Sequence, residues 1–443
     1  MPSYDKVSIM DRSGAIIYYS SYSSARSAAS SGDLIQIWAN LTEQIVLLNG
    51  ADIWIAPGVT IKSGSSDTTI IAPTSGELNC KIYGFGIIKN DTNGSCIFIN
   101  NEDAKLKIEC DVIEGQGGSV SSVNIQSASE FHLSCSKVYS RDFQALRLGL
   151  TLNPGLIQDI NLNITRVETG NLTPTYTGTT AITTRGNGFV KIDEILCRNR
   201  GHCLSHREGN ITAQIKKLQT INNISGDAGA ALHVRQYDGF NPGIGTQKLI
   251  IYFDEIESLT GTVNSSAGIE IGEGTGVIIG RKVYCSDSPA IQIQGNDTSG
   301  YVKCNEIISQ GSGGNAPVNA IEFSNFNNEI TFDANYVQGY RNNGVIFIND
   351  ANVQIKNALI KNSYTGTTVA SVGIFIAGSQ IISLVNAKIV TGSLTSGQTI
   401  YYSSTSINVK NYGLFVNKAI ESNVNLIVGT GSNYQYIINS ELT

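Results

Sequence analysis

The chain has 443 residues, with 30 Lys and Arg against 36 Asp and Glu, and a formal net charge of -6. An acidic chain without a basic run lacks the phosphate-neutralising surface of a nucleic-acid binder and the polybasic patch of a membrane-surface protein. Charged residues make up only 15 % of the chain, and its 46 glycines favour a turn-rich architecture. We therefore expect no nucleic-acid partner, no membrane insertion and no bound cofactor.

The N-terminal segment, residues 1–33, does not follow the repeat that begins at residue 34. Its first residues include charged side chains and lack the apolar core of a secretory signal, so we expect synthesis in the cytoplasm. The stretch YSSARSAASS at 22–31 predicts a short helix with Ala25, Ala28 and Ala29 on its buried face. A helix at this position would cap the open end of the first coil.

A repeat runs from residue 34 to about residue 410, and residues 288–314 are its clearest copy. Each copy has a short strand after a small residue, a Gly-bounded turn and a second strand, with apolar and polar side chains alternating in both strands. Successive copies lie roughly 22 to 37 residues apart, a loose period typical of solenoids. One copy buries a single row of apolar side chains, so it needs a copy on either side. The repeat predicts an all-β, single-stranded parallel β-helix.

The cysteines are predicted to be small core residues rather than a disulfide framework. Cys110, Cys135 and Cys304 each lie three residues before the aliphatic residue that ends the second strand, in the slot that other copies fill with Ile192, Phe253 and Phe332. Because neighbouring coils are about one strand spacing apart, a disulfide between Cys110 and Cys135 stays open as an alternative.

Two long intervals and the C-terminal segment depart from the regular repeat. The intervals 146–182 and 232–269 predict loops that project from one side of the solenoid, because each contains an Asn-Pro-Gly turn signal. Residues 411–443 alternate like strands but lack a clear coil length. We interpret them as an irregular β C-terminal cap, with an oligomerisation segment as the alternative.

The opening of the repeat carries a family resemblance. The sequence AASSGDLIQIW places a small Ala-rich helix before a Gly-Asp pair and an apolar strand, and an Ala-Pro-Gly turn follows at 56–58. This pattern resembles the first coils of the right-handed parallel β-helix proteins of the pectate-lyase-like superfamily, over about residues 20–410. The chain is also similar to the bodies of bacteriophage tailspikes and tail fibres. The resemblance implies a right-handed helix, a homotrimer and a host-surface polysaccharide as ligand.

Charged and polar side chains recur on the outer face of the first strand. Counted from the small residue of each copy, the fourth following position predicts a column of Arg185, Arg207 and Arg235, about 5 Å apart. Two interpretations are open: a solvated face with local ion pairs, and a polysaccharide groove in which Tyr237 stacks on a sugar ring. The second following position holds Arg147, Thr183, Ser205, His233, Glu270, Gln292 and Glu322. The candidate binding residues are Arg147, Arg185, Arg207, His233, Arg235 and Tyr237.

The carboxylates near this column are the candidates for catalysis. A glycosidase needs two carboxylates facing one bond, and a polysaccharide lyase needs a base together with a cation. Glu270 with Asp238 or Glu322 is the available pair. The Asp cluster of pectate lyases and the paired Asp residues of polygalacturonases have no counterpart in this sequence. We therefore assign no catalytic residue.

A Cys and His cluster raises the question of a metal site. Cys197, His202, Cys203 and His206 supply ligand types that suit zinc, but their C-x4-H-C-x2-H spacing matches no zinc finger or knuckle. By the repeat register His206 occupies an inward slot. We therefore interpret it as a hydrogen-bonded core histidine and expect no metal at this cluster.

Three functional hypotheses remain. The first is a virion appendage of the tailspike or tail-fibre type, made in the host cytoplasm, released on lysis, and bound to itself, to other virion tail proteins and to host surface polysaccharide. The second is a polysaccharide lyase or glycoside hydrolase on the same scaffold. The third is a passive adhesin or spacer. The fold alone does not distinguish them.

Overall fold

A computed structural model shows the fold. It describes residues 5–65, 67–116, 120–149, 157–170, 180–198, 201–222, 229–234, 248–260, 267–272, 274–286, 288–295, 298–310, 319–340, 345–363, 372–377, 380–385, 388–391, 398–402, 407–412 and 415–416. The described strands form an all-β parallel solenoid of about 10 turns, which confirms the predicted single-stranded β-helix. The chain divides into two units, residues 1–215 with 238–245 and residues 216–237 with 246–443, and each is described by itself.

An antiparallel hairpin precedes the solenoid, and the repeat pattern did not predict it. Strands β1 (Val7–Met10) and β2 (Ile16–Tyr19) pair with each other, and β1 also pairs antiparallel with β3 (Leu34–Ile37), the first solenoid strand. Between β1 and β2, the carboxylate of Asp11 accepts the N–H of Ala15 over 2.9 Å and closes the turn. The hairpin covers the edge of β3 that faces away from the coils, an edge that would otherwise be unpaired.

The predicted capping helix is confirmed as α1, Tyr22–Ala28, but its buried face differs from the prediction. The hydroxyl of Ser21 caps its first turn. Tyr22 and Ala25 are buried, whereas Ala28 is exposed. A helix of two turns buries a narrow stripe, and the Tyr22 ring with Ala25 one turn later fills it. The expectation of a buried Ala28 is therefore wrong.

Parallel strands pair in three series in the first unit. After β3 the strands are β4 (Leu41–Thr42), β5 (Ile45–Val46), β6 (Asp52–Ile55), β7 (Thr60–Lys62), β8 (Ile70–Ile71), β9 (Leu78–Gly84), β10 (Ile87–Asn90), β11 (Ile97–Asn100), β12 (Ala104–Gly115), β13 (Val123–Ser127), β14 (Glu130–Ser140), β15 (Leu146–Leu148), β16 (Ile157–Thr169), β17 (Ile182–Arg198) and β18 (Leu204–Glu208). The three series begin at β3, β4 and β5, and from β12 onward the first two series are joined in one long strand.

Strand β19 (Asn210–Asn222) crosses the boundary between the units. The strands of the second unit are β20 (Leu232–Val234), β21 (Lys248–Thr260), β22 (Ile269–Ile271), β23 (Thr275–Cys285), β24 (Ile291–Gln294), β25 (Ser299–Ser309), β26 (Ile321–Gly339), β27 (Ile346–Lys356), β28 (Leu359–Asn362), β29 (Val372–Ala377), β30 (Gln380–Val385), β31 (Lys388–Thr391), β32 (Gln398–Tyr402), β33 (Ile407–Tyr412) and β34 (Phe415–Val416). Most of the predicted C-terminal cap, residues 417–443, lies outside the described residues.

Alternating side chains build the core and also mark the corners. In β12 the residues at 104, 106, 108 and 110 are buried, while Lys105, Lys107 and Glu109 are exposed. Asp111 and Val112 are both half-exposed, so the alternation changes phase at this point and the strand turns a corner. Each long second strand therefore contributes side chains to two outer faces of the solenoid.

The cysteines are core residues, as predicted. All eight are buried free thiols. Cys110 and Cys135 lie directly opposite each other on β12 and β14. A hydrogen bond with Cys135, together with burial, raises the pKa of the Cys110 thiol well above its ordinary value, so Cys110 is held as a neutral thiol.

One position of the predicted cysteine row is wrong. Cys304 lies in register with Gly280 on one side and with Ala334 on the other, so Ala334 rather than Phe332 fills its slot. The next residue along the row is Phe253, which lies opposite Gly280. A Cβ atom on Gly280 would come within 2.1 Å of the Phe253 ring. The absent side chain of Gly280 therefore makes room for this buried ring.

Candidate functional site

Arg185 and Arg207 do not form the predicted column. A β-bulge after Thr184 shifts the register of β17 against β18, so Arg185 lies opposite Glu208 rather than Arg207. Arg185 and Glu208 are ion-paired, and only 16 % and 14 % of their side-chain surfaces are exposed. Arg207 Nε lies 3.4 Å from Ser205 Oγ. The prediction is wrong for this pair, because the bulge places an acid where counting along the sequence placed a second cation.

The second predicted column is confirmed in register within the first unit. Arg147 lies opposite Thr183, and Thr183 lies opposite Ser205. Thr183 and Ser205 are buried, and Gln144 Nε2 donates to Thr183 Oγ1 over 2.9 Å. Arg147 is half-exposed. The column here is a closed, hydrogen-bonded layer in which Arg147 is the charged member at the surface.

In the second unit the same column is a polar line that is open to solvent. His233, Glu270, Gln292 and Glu322 lie opposite one another on successive strands β20, β22, β24 and β26, and we call these four residues the polar ladder. His233 is 8 % exposed, and the other three are half-exposed. The remaining predicted residues of this surface, Arg235, Tyr237 and Asp238, lie outside the described residues.

Amide side chains hold the carboxylates of the polar ladder. Gln292 Nε2 donates to Glu322 Oε2 over 3.2 Å, and Asn319 Nδ2 donates to Glu322 Oε1 over 2.9 Å. Gln294 Nε2 lies 3.4 Å from Glu270 Oε1. Asn319 is 3 % exposed, and within the described part of the chain its Oδ1 has no hydrogen-bond partner. A buried amide oxygen without a partner is costly, so Asn319 is the unsatisfied polar group of this cluster.

Aromatic residues continue the register of the polar ladder beyond Glu322, and the sequence analysis missed them. Phe347 lies opposite Glu322, Phe375 opposite Phe347, and Tyr401 opposite Phe375. Phe347 is half-exposed. Hydrogen-bonding residues and aromatic residues therefore follow each other along one register line of the second unit.

The structure brings the predicted carboxylates Glu270 and Glu322 onto one line with Gln292 between them. Two strand spacings place their backbones about 9.5 Å apart. A hydrolase would need the two carboxyl groups themselves to face one glycosidic bond. The register places both residues on the same line with one residue between them.

A second outer face of the first unit is occupied by ion pairs. Glu168 accepts from Arg198 Nη1 over 2.6 Å and from Arg166 Nε over 3.2 Å, and Lys137 Nζ lies 3.4 Å away. Burial alone would raise the pKa of Glu168, but the three cations outweigh it and lower the pKa. Arg166 also contacts Glu194 over 2.9 Å. The outward charges described on this face are therefore paired with one another.

His206, the inward member of the Cys and His cluster, is held by two hydrogen-bonding partners. His206 is fully buried, its Nδ1 lies 3.0 Å from Thr184 Oγ1, and its Nε2 lies 3.0 Å from the carbonyl oxygen of Gly209. Burial lowers the pKa of His206 to about 4 and raises that of Cys197 to about 11. The expected core histidine is confirmed. Among the described residues, the donor atoms that converge as a metal site would require belong to Glu130, His132 and Asp159 instead.

Several large apolar side chains in the N-terminal part of the first unit are exposed. Trp38 packs edge-on against Trp54 with ring centroids 4.7 Å apart, and its Nε1 donates to Ser8 Oγ over 2.9 Å. Phe85, between β9 and β10, is 71 % exposed. We call the following residues the N-terminal apolar surface: Ile16, Ile17, Tyr18, Trp38 and Phe85.

The fold and these surfaces define a class, a parallel β-solenoid with a polar and aromatic register line on one face. Comparisons with protein-family models, with curated proteins and with solved structures return no match for this chain. Among the described residues, no helix has the length and apolar character needed to cross a membrane.

Proposed function

We propose that this protein is a glycan-binding appendage whose ligand lies along the polar ladder and the aromatic positions that follow it. One observation carries the proposal: His233, Glu270, Gln292 and Glu322 share a register line with Phe347 and its successors. Sugars offer hydroxyl groups at regular intervals and flat C–H faces. Amide and carboxylate side chains bind the hydroxyls, and aromatic rings pack against the C–H faces.

The repeat of the solenoid suits a polymer as ligand. Successive side chains of the polar ladder are about 4.8 Å apart, so an extended chain of sugars meets a new hydrogen-bonding group at every coil. Arg147, Arg185, Arg207, Arg235 and Tyr237 stay predicted contacts, and Arg185 contributes less than expected because Glu208 neutralises it.

A virion tail is the setting that we propose for this appendage, with a homotrimeric state and other tail proteins as partners. The support is the resemblance of the repeat to tailspike and tail-fibre bodies, together with the N-terminal apolar surface. Exposed apolar side chains of this kind are candidates for contact with another protein. We assign attachment to these residues of the first unit.

The alternative function is a glycoside hydrolase of the inverting type, and the placement of Glu270 and Glu322 on one register line supports it. In that reaction one carboxyl group protonates the leaving oxygen while the other activates a water molecule on the opposite face of the sugar. In the structure Glu322 is engaged by Gln292 and Asn319, which orient it. The hydrolase needs both carboxylates, whereas binding alone needs only the hydrogen bonds and the aromatic contacts.

The two functions are separated by measuring binding and cleavage on the same polysaccharides. We expect Gln292→Ala to weaken binding at least about tenfold, because it removes the central hydrogen-bonding group of the ladder. Gln354→Ala, which changes an outward glutamine on another face of the same unit, is the matched control. Binding that is lost in Gln292→Ala without any release of oligosaccharide supports the appendage.

Release of sugars that stops in both Glu270→Gln and Glu322→Gln supports the hydrolase instead. Equal binding by Gln292→Ala and by the unchanged protein would remove the polar ladder from consideration. No binding to any surface polysaccharide tested would favour the spacer hypothesis.

A further inference from the structure

The three side chains Glu130, His132 and Asp159 project together from one outer face of the first unit. Glu130 and His132 are two residues apart on β14, so they point to the same side of the strand. Asp159 on β16 lies directly opposite Glu130. One donor atom from each residue lies within 4.8 Å of the others. Two adjacent strands thus fix three donor atoms on a rigid support.

The shortest of these separations has the size of an edge in a metal coordination sphere. His132 Nε2 lies 3.0 Å from Asp159 Oδ2. Two ligands bound at about 2.1 Å and at right angles are about 3.0 Å apart, and in a tetrahedral arrangement they are about 3.4 Å apart. In the structure these two atoms are hydrogen-bonded to each other, and a cation bound by both would replace that hydrogen bond.

The donor set selects the kind of ion. One imidazole nitrogen and two carboxylates suit Zn²⁺ and its neighbours Co²⁺ and Ni²⁺, whereas Mg²⁺ prefers oxygen donors alone. Three protein ligands leave a position for water or for an oxygen atom of a bound molecule. The exposed fractions of the side chains, 24 % for His132 and 54 % for Asp159, leave the cluster open to ions from solvent.

Lys105 is the competitor for this cluster. Its Nζ lies 2.8 Å from Glu130 Oε1, and Lys105 stands opposite Glu130 on the preceding coil. A carboxylate accepts through both of its oxygen atoms, so Glu130 is able to contact Lys105 and a cation together. Lys107 on β12 and Asn161 on β16 lie directly opposite His132, one on each neighbouring strand.

From this geometry we infer that Glu130, His132 and Asp159 form a binding site for a divalent ion of the Zn²⁺ class, which links the coils of β14 and β16. The site is separate from the polar ladder, which belongs to the second unit. Its ligands all point outward, so loading or emptying it leaves the buried rows of the solenoid unchanged.

The test is isothermal titration calorimetry of the full chain. The protein is first stripped of metal with a chelator and is then titrated with Zn²⁺ and, separately, with Mg²⁺. We expect one Zn²⁺ per chain and no comparable affinity for Mg²⁺. His132→Asn and Asp159→Asn are each expected to weaken Zn²⁺ binding at least about tenfold. Glu109→Gln is the matched control, because it removes an exposed carboxylate from the neighbouring strand β12 that contacts Lys81 and lies outside the cluster.

Absorption spectra with Co²⁺ identify the donors independently of affinity. We expect a spectrum of nitrogen and oxygen ligands without the thiolate-to-cobalt band that cysteine ligands give, since the eight thiols are buried. No saturable Zn²⁺ binding, unchanged affinity in both variants, or a thiolate band that persists in them would each overturn the inference. Circular dichroism of each variant verifies that the coils are intact.

Discussion

Acidification is expected to destabilise the first unit through His206. Its imidazole is fully buried, Nε2 lies 3.0 Å from the Gly209 carbonyl oxygen, and Nδ1 lies 3.0 Å from the Thr184 hydroxyl. The carbonyl accepts a hydrogen bond, so Nε2 carries the proton and Nδ1 accepts from Thr184. The neutral ring satisfies both contacts. Protonation would place a charge among apolar side chains, and burial accordingly lowers the pKa of His206 to about 4.

The size and sign of the effect follow from proton linkage. The unfolded chain binds this proton near pH 6.5 and the folded chain only near pH 4, so between these values the unfolded state binds more protons and stability rises with pH. The contribution is complete above about pH 6.5 and is lost as the pH falls toward 4. The loss amounts to about 2 kcal/mol at pH 5 and to about 3 kcal/mol in full, at about 1.4 kcal/mol for each pKa unit.

Urea unfolding followed by tryptophan fluorescence measures this contribution in the correct unit, because both tryptophans, Trp38 and Trp54, lie in the first unit. His206→Gln keeps a donor and an acceptor but does not titrate. Between about pH 7 and pH 5 the unchanged protein is expected to lose about 2 kcal/mol more of its free energy of unfolding than His206→Gln loses. His132→Gln, measured with a chelator present, is the control for removing an outward histidine. An identical pH dependence in His206→Gln would refute the reasoning.

Three further predictions concern packing, charge and thiol reactivity. Gly280→Ala is expected to lower the free energy of unfolding by about 1 to 3 kcal/mol, because the new Cβ meets the Phe253 ring, and adding Phe253→Leu is expected to recover part of the loss in urea titrations. Glu168→Gln is expected to lower the free energy of unfolding by about 1 to 3 kcal/mol at neutral pH, because three cations lose their carboxylate partner. This difference from the unchanged protein is expected to close on acidification, because a carboxylate with a lowered pKa stabilises the fold only above the pH at which the unfolded carboxyl group ionises. Cys110 and Cys135 are expected to resist alkylation in the folded protein at about pH 8 and to react after unfolding, as mass spectrometry would show; rapid labelling of the folded chain would contradict the buried thiol pair.

Counting from the small residue of each copy predicted the register of the outward residues where the copies have the same number of residues between the two. Glu270, Gln292 and Glu322 each follow a small residue by two positions, and the structure places them in register. The same count failed at Arg185, because a bulge adds one residue to one strand and moves every later side chain against its neighbour. A bulge has no clear signature in a single sequence, so the fourth position of the copy was not predictable.

The aromatic continuation of the polar ladder was partly visible in the sequence. Phe375 follows the small residue Gly373 by two positions, as Gln292 follows Ala290, so the count would have found it. Phe347 follows the small residue Gly344 by three positions instead of two, and only the pairing of β26 with β27 aligns it with Glu322.

Two other features were missed because they lie outside the repeat rule. The β1 and β2 hairpin has its own signal, two short apolar runs separated by a turn that contains Asp11 and Gly14. Asp159 is separated in sequence from Glu130 and His132 by a whole coil. Its approach to them depends on which residues of β14 and β16 lie opposite each other. Such a register is set by the packing of the inner rows, which the outward residues do not reveal.

Outward positions separate folding from function in this architecture. The inner rows consist of apolar side chains that fix the register, and an outward substitution leaves those contacts intact. The ion-paired face around Glu168 and the polar ladder both rest on parallel pairing of backbone strands. They differ in the side chains that the paired strands present to solvent. A change of function therefore needs no change in the coils, and loss of binding in Gln292→Ala with unaltered unfolding would assign the effect to the surface itself.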